Sequence, residues 1–192
     1  MPYPVAPWQM HGQLWLSLFR VREGDHPDRS PGVYGAALVS YEAPSPLTYS
    51  ELLVATPVER RAHIVDIWVD SPDSRDGGRE LWAIPKGLCD FSRVTTGSHV
   101  QRTVWHTSLD GTPVASARFT DVSRLMLRTP FKGATWQTRE NGEEVVAPLR
   151  GSSRVLPCRA SWDFHAEGPL AWLAGKRPLA SFRMADFAMS FG

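Results

Sequence analysis

The chain has 192 residues, of which 42% are hydrophobic and 21% charged, so a disordered protein is excluded and residues 1–192 are interpreted as a single folded domain. The formal net charge is +1, which gives no basic excess of the kind that nucleic-acid-binding proteins carry. No apolar run approaches the roughly 20 residues that cross a bilayer and the N-terminus does not resemble a signal peptide, so no membrane partner and a cytoplasmic location are expected.

Four segments in the first half of the chain predict β-strands. Residues 14–19 alternate with a period of two, as half-buried strands do. Residues 34–41 form a small-residue apolar run, and residues 49–56 are a further candidate. Residues 63–69 are rich in β-branched and aromatic side chains, which suit a pleated sheet.

A short helix and two hairpins follow. Residues 71–74 are typical of a helix start, although Gly77-Gly78 is expected to interrupt the helix. Asp110-Gly111 and Asn141-Gly142 each separate two strand-like segments, and these dipeptides favour tight type I′ turns.

The last helical signal is residues 168–175, with proline near its start and glycine at its end. All other segments read as strand and turn. The expected fold is therefore mainly β (α+β), an antiparallel barrel or strongly curved sheet with one or two short helices. The histidines lack metal-ligand spacing, so no metal site is predicted.

Lys86 is the candidate chemical centre. The 21 basic residues include only three lysines, Lys86, Lys132 and Lys176, so a lysine within the apolar residues 81–88 is informative. Desolvation disfavours an ammonium ion and lowers its pKa. A neutral amine can form a Schiff base with a ketone, and the iminium then draws electrons from the adjacent carbon. The alternative is a surface lysine at a turn after Pro85.

Residues 78–88 read Gly-Arg-Glu-Leu-Trp-Ala-Ile-Pro-Lys-Gly-Leu, which resembles the active-site segment of the acetoacetate decarboxylase family. In that segment, Gly-Arg-Glu-Leu leads to an aromatic or aliphatic residue, then proline, then the Schiff-base lysine. Residues 177–192 look like the closing strand of some members. The resemblance implies a β-barrel or cone with flanking helices, often in homo-oligomers, that acts on a small keto substrate without a cofactor.

The resemblance also implies roles for individual residues. Family members carry a glutamate on an earlier strand that faces the lysine, and Glu51 falls at that place. It is therefore predicted to transfer the proton that replaces CO2 or to assist carbinolamine dehydration. The alternative is an exposed glutamate on the strand. Arg79 either binds a substrate carboxylate or holds the loop by pairing with the backbone or with Glu80. Glu80 and Pro85 are assigned structural roles.

The walls of the site are predicted from residue type. Trp15, Trp68 and Trp82 are expected to line an apolar pocket around Lys86. Ala36, with its small neighbours, is expected to leave room for a substrate larger than acetoacetate.

Three departures from the family pattern keep the reaction open. Gly87 stands where the classical decarboxylases have a second lysine, alanine stands at the place of a second glutamate, and an N-terminal arginine has no clear counterpart. The leading hypothesis is decarboxylation of a β-keto acid or related keto substrate through a Lys86 Schiff base. The alternatives are aldol, dehydration or cyclisation chemistry on a specialised metabolite, and a non-catalytic barrel that binds a small molecule.

Overall fold

The computed structural model describes residues 3–98, 100–121 and 126–192. Within them no helix is long and apolar enough to cross a membrane. The elements are β1 (Trp8–Val21), β2 (Gly32–Glu42), β3 (Tyr49–Val58), β4 (Arg61–Val69), α1 (Pro72–Trp82), β5 (Gly87–Leu88), β6 (Asp90–Thr96), β7 (Arg102–Leu109), β8 (Thr112–Asp121), β9 (Arg128–Thr138), β10 (Glu144–Phe164) and β11 (Ala180–Phe191), with a 3₁₀ turn at Ala171–Leu173.

Seven strands close into a ring. Strands β11, β1, β2, β3, β4, β9 and β10 follow one another, and β10 pairs back with β11. The pairs are antiparallel except for the short contact between β4 and β9, which is parallel. Strands β6 to β8 extend the sheet as an arm from the C-terminal part of β10. The predicted mainly β barrel or cone is confirmed.

Side chains of β1 to β4 alternate between two apolar cores. The inner core lies within the ring and includes Val39, Ile67 and Phe187. The outer core packs the ring against the arm and the 3₁₀ turn, and it includes Trp105 and Leu173. Each of the strands β1 to β4 therefore presents alternate residues to two different environments.

Helix α1 is continuous, so the expected interruption at Gly77-Gly78 is wrong. The Ser71 hydroxyl accepts the Ser74 N–H at 3.2 Å and caps the helix start. A Cβ atom on Gly77 would lie 2.7 Å from Cζ2 of Trp8 and 2.8 Å from Cγ of Tyr3. The glycine is therefore needed for the close approach of the N-terminal segment to the helix.

The four predicted strands of the first half are confirmed, although each is longer than its pattern. Both hairpins are confirmed, and Asp110 (φ 49°) and Gly111 (φ 80°) have the positive angles of a type I′ turn. In the second hairpin only Gly142 has a positive φ (85°), because the N–H of Gly142 bonds the Arg139 carbonyl in a wider turn. The helix predicted over 168–175 is reduced to the 3₁₀ turn.

We expect Gly77→Ala to lower the free energy of unfolding by about 1–3 kcal/mol, because the added methyl group overpacks the contact with Trp8 and Tyr3. Urea unfolding followed by tryptophan fluorescence measures the change. Gly32→Ala is the matched control, since a Cβ at Gly32 meets nothing within 4 Å. Equal stability of the two variants would contradict the packing argument.

Candidate active site

The Lys86 amine is buried and meets three partners. The side chain lies at 5% relative exposure, and its Nζ is 2.9 Å from Oε2 of Glu51. It also donates to the Ser74 hydroxyl at 3.0 Å and to the Tyr49 hydroxyl at 3.4 Å. The structure thus brings together the lysine and the glutamate that the sequence singled out.

A second tyrosine holds the carboxylate of Glu51. The Tyr41 hydroxyl donates to Oε1 of Glu51 at 3.1 Å. Tyr41 and Tyr49 are paired across β2 and β3, with ring centroids 4.4 Å apart. Each oxygen of the buried carboxylate therefore has a donor, which is what a buried charge requires.

The backbone of Lys86 is fixed by the end of α1. Ala83 adopts a left-handed conformation (φ 55°), and the Ile84 N–H bonds the Gly78 carbonyl at 3.0 Å, as in a Schellman motif. The Lys86 N–H bonds the Ile84 carbonyl at 2.8 Å. Arg79 Nε donates to the Lys86 carbonyl at 2.7 Å, so this guanidinium holds the lysine loop.

Two glycines shape the surroundings of the lysine. A Cβ on Gly78 would lie 2.8 Å from Cδ of Lys86, so the lysine stem lies directly against the helix backbone. A Cβ on Gly87 would lie 2.8 Å from Cδ1 of Trp68. The position after Lys86 therefore faces the Trp68 ring and has no room there for a second lysine.

The lysine and glutamate line a cavity of about 340 Å³ inside the ring. All seven ring strands contribute to its wall, which is mostly aliphatic and aromatic. Trp82 lines it, as the sequence predicted, and so does Trp8, which sequence reasoning missed. Further apolar contributors are Met10, Leu14, Val39, Leu53, Ile64, Ile67, Ile84, Phe131, Leu149, Met184, Phe187, Met189 and Phe191.

Three predicted wall residues do not line this cavity. Trp15 and Ala36 belong to the outer core, and Trp68 packs against that core. Successive side chains of a strand point to opposite faces of the sheet. Ile67 and Val69 point inward, so Trp68 between them points outward. Their expected place in the lysine pocket was wrong.

Glu80 lies in the last turn of α1 and Pro85 in the loop that follows, and the sequence assigned structural roles to both. The Glu80 carboxylate accepts the Tyr3 hydroxyl, and this hydrogen bond, with burial second, raises the pKa of Tyr3 to about 12. The Glu80 carbonyl accepts a hydrogen bond from Arg139 at 3.0 Å. Pro85 is exposed in the loop before Lys86. Arg79 and Glu80 therefore bond the backbone and the N-terminal segment.

The charge state of the lysine differs from the expectation. Burial lowers the pKa of Lys86, but the Glu51 carboxylate, with Tyr49, raises it by more, so the pKa lies above the ordinary 10.5. Burial raises the pKa of Tyr41 and Tyr49, so both hydroxyls stay protonated. The ligand-free site is thus an ammonium–carboxylate pair, in which the facing carboxylate outweighs the desolvation that would lower the pKa of the lysine.

This arrangement provides a proton acceptor for the lysine. Glu51 is within direct transfer distance of the ammonium, and proton transfer between them leaves two neutral groups. When water leaves an apolar cavity, the free-energy cost of desolvation is smaller for neutral groups than for charged ones. The geometry therefore links amine activation to desolvation of the pair.

Sequence reasoning missed Tyr41, Tyr49 and Ser74. Tyr49 lies two residues before Glu51 on the same face of β3, so strand periodicity was a usable signal for it. Ser74 lies four residues before Gly78 on α1, the spacing of neighbours on a helix face. Tyr41 follows only from the register of β2 with β3.

Comparisons with known proteins identify relatives of this fold. A family model described as acetoacetate decarboxylase (ADC) matches residues 25–137. No curated protein sequence matches the chain.

Solved structures match over nearly the whole chain. The enduracididine biosynthesis enzyme MppR complexed with pyruvate has a TM-score of 0.71 at 17% identity, covering 98% of this chain and 89% of that one. An acetoacetate decarboxylase from Legionella pneumophila subsp. pneumophila str. Philadelphia 1 has a TM-score of 0.63 at 13% identity, covering 100% and 86%. An acetoacetate decarboxylase-like enzyme from Sphingomonas wittichii RW1 has a TM-score of 0.67 at 13% identity, covering 100% and 92%.

We expect Glu51→Gln to lower the pKa of Lys86, because burial then acts without the carboxylate that opposes it. The pH dependence of Lys86 acylation by a small neutral ester, read by mass spectrometry, measures this pKa. Each unit of decrease raises the neutral fraction about tenfold at a fixed pH below the pKa. Glu143→Gln, at an exposed glutamate paired with Arg139, is the control. An unchanged midpoint in Glu51→Gln would contradict the pair.

We expect Gly78→Ala to slow reaction at Lys86 by about 10- to 100-fold, because its methyl group displaces the lysine stem and small misplacements are costly. Its thermal unfolding midpoint should fall less than that of Gly77→Ala, since the neighbour that must move is a lysine side chain and alanine is favoured over glycine in a helix by roughly 0.8–1.0 kcal/mol. Gly77→Ala serves as the converse control, with lowered stability and normal reactivity after correction for the folded fraction. Normal acylation of Lys86 in Gly78→Ala would refute this role of the glycine.

Proposed function

The chain belongs to the acetoacetate decarboxylase family, and from that premise we propose that it is an enzyme that joins Lys86 to a small keto substrate as a Schiff base. The observation that carries the proposal is the buried Lys86 amine, 2.9 Å from the Glu51 carboxylate in an apolar cavity. A covalent amine catalyst needs such a nucleophile and an adjacent base.

The reaction begins with transfer of the ammonium proton from Lys86 to Glu51. The neutral amine attacks the substrate carbonyl carbon, forming a C–N bond and a carbinolamine. Protonated Glu51 donates its proton to the hydroxyl group, which leaves as water when the C–O bond breaks, and the iminium forms beside the Glu51 carboxylate. Tyr49 is placed beside the amine, so its neutral hydroxyl is the group we assign to hydrogen-bond the oxygen during this step.

The iminium then serves as an electron sink for bond breaking at the adjacent carbon. In a β-keto acid the bond to the carboxylate breaks, CO2 leaves, and an enamine forms. Glu51, a carboxylate again after the dehydration, takes up a proton from solvent and passes it to that carbon, and water then hydrolyses the iminium to release the ketone product and the amine. This carbon–carbon lyase reaction is the one that the family name suggests first.

Aldol, dehydration or cyclisation chemistry on a specialised metabolite is the second candidate. It is favoured by the position after Lys86, where Gly87 faces Trp68 and supplies no second cation. MppR has also been solved with the condensation product of pyruvate and imidazole 4-carboxaldehyde. Such reactions use the same iminium and enamine.

Two partners follow from the proposal. One is the small-molecule keto substrate, with no cofactor needed because the lysine supplies the electron sink. The other is further copies of the same chain, since members of the family often assemble into homo-oligomers. The homo-oligomer stays a prediction.

We expect reduction with borohydride in the presence of a keto substrate to trap an adduct on Lys86. Mapping is simple because Lys132 and Lys176 are the only other lysines, and neither should be labelled. Lys86→Arg keeps a cation beside Glu51 but removes the amine nucleophile, so it should lose the adduct and on the order of 10³-fold or more in turnover. An unlabelled Lys86 across a panel of ketones and keto acids would refute the covalent mechanism and favour a binding barrel.

A further inference from the structure

The cavity is electrically balanced before any substrate enters. Among the described residues that line it, Lys86 and Glu51 are the charged ones, and they pair with each other. The remaining polar groups of the wall are uncharged, chiefly the hydroxyls of Tyr41, Tyr49 and Thr135. The one cation of the wall is therefore already matched by an anion.

Neighbouring cations are kept out of the cavity by strand alternation. Phe131 and Leu149 line it, whereas Lys132 and Arg150, which follow them in sequence, line a groove on the opposite face of the sheet. Arg183, which precedes the lining residue Met184, is bonded to Asp121 and packs over Trp15 of the outer core.

Arg79 is likewise committed elsewhere. Its Nε donates to the Lys86 carbonyl, and the side chain does not line the cavity among the described residues. A substrate carboxylate would therefore enter an apolar space whose single positive charge already faces Glu51. An unmatched buried charge is strongly unfavourable.

A neutral substrate preserves the balance through the whole reaction. Water is lost when the carbinolamine collapses, and the positive iminium then faces the negative Glu51 carboxylate.

We propose that the substrate is a neutral, largely apolar ketone or aldehyde rather than a keto acid; this rests on the Schiff-base function proposed above. The cavity of about 340 Å³ corresponds to about eleven water-sized volumes of about 30 Å³ each. It suits a ligand of roughly ten non-hydrogen atoms by that measure.

The charge of the substrate decides which bond breaks. Without a carboxylate to lose, the iminium is converted to the enamine by loss of a proton from the adjacent carbon. Glu51 accepts that proton, the C–H electron pair forms the C=C bond, and the iminium nitrogen regains its lone pair. The enamine carbon then takes the proton back from Glu51, or attacks the carbonyl carbon of an aldehyde co-substrate. In the second case a C–C bond forms as the C=O π bond opens, and the new alkoxide takes the proton from Glu51. In both cases water hydrolyses the iminium and releases the product from Lys86.

The test compares two ligands that differ in charge. Methyl 6-oxoheptanoate and 6-oxoheptanoate share one carbon skeleton with a methyl ketone, and only the second carries a carboxylate. We expect cyanoborohydride to trap the ester on Lys86 at least tenfold faster than the acid, with 2-heptanone close to the ester. Equal or faster trapping of the acid overturns the substrate class but leaves the Schiff base intact. Failure of all three ligands overturns the Schiff base, and this inference with it.

A variant tests whether charge is the cause of the preference. Leu149→Arg adds a cation to a half-buried position of the wall, with folding checked by circular dichroism. The ratio of ester to acid trapping should fall at least several-fold. An unchanged ratio in the folded variant would overturn charge as the determinant.

Proton exchange gives a readout that needs no reductant. Incubation of 2-heptanone in D2O with the protein should deuterate the carbons next to the carbonyl, as followed by NMR. Lys86→Arg should lose this exchange, and Glu51→Gln should lose most of it although its amine is more readily acylated. Exchange that survives in Glu51→Gln would overturn the assignment of this proton transfer to Glu51.

Discussion

The buried ion pair between Lys86 and Glu51 is the interaction on which the candidate site depends. Removing either partner of such a pair leaves an uncompensated buried charge, which costs about 3–5 kcal/mol. The surrounding polar groups satisfy the pair, since Tyr41 donates to Glu51 while Tyr49 and Ser74 accept from Lys86. The result is one neutral unit held in an apolar cavity, in which a nucleophile lies beside a base that can take its proton.

The pair exists because two distant segments are both fixed in place. Glu51 projects from β3, whose neighbours in the closed ring set its register. Lys86 follows α1, where the left-handed Ala83 ends the helix and Arg79 binds the lysine carbonyl. The missing side chain of Gly78 then lets the lysine stem cross the helix towards the strand. A glycine pair that looks like a helix breaker is therefore a packing requirement of the site.

The residues proposed to carry the chemistry could be singled out because they lie in a short, distinctive segment or at a family position, as Lys86 and Glu51 do. The walls were less predictable because the phase of each strand decides which core a residue enters. Trp15 and Trp68 have the composition of pocket residues but point to the outer core. In β11 an extra residue forms a bulge at Asp186 (φ 48°), so that Met184 and Phe187 both face inward although they do not follow strict alternation. The local sequence contains no pattern that marks this bulge. The charge state of Lys86 depends on the distance between its amine and the Glu51 carboxylate, which cannot be read from the composition of the sequence.

Gly87 indicates how this chain differs from the classical decarboxylases, in which a neighbouring lysine follows the nucleophile. Here that position is packed on Trp68, so no adjacent cation is available to favour the neutral amine. The carboxylate of Glu51 has the opposite effect and keeps the amine protonated until the proton moves to it. Because an apolar ligand expels water and disfavours separated charges, its entry favours that transfer. In the proposed mechanism, substrate binding and lysine activation are therefore coupled, and the coupling is strongest for a ligand that brings no charge of its own.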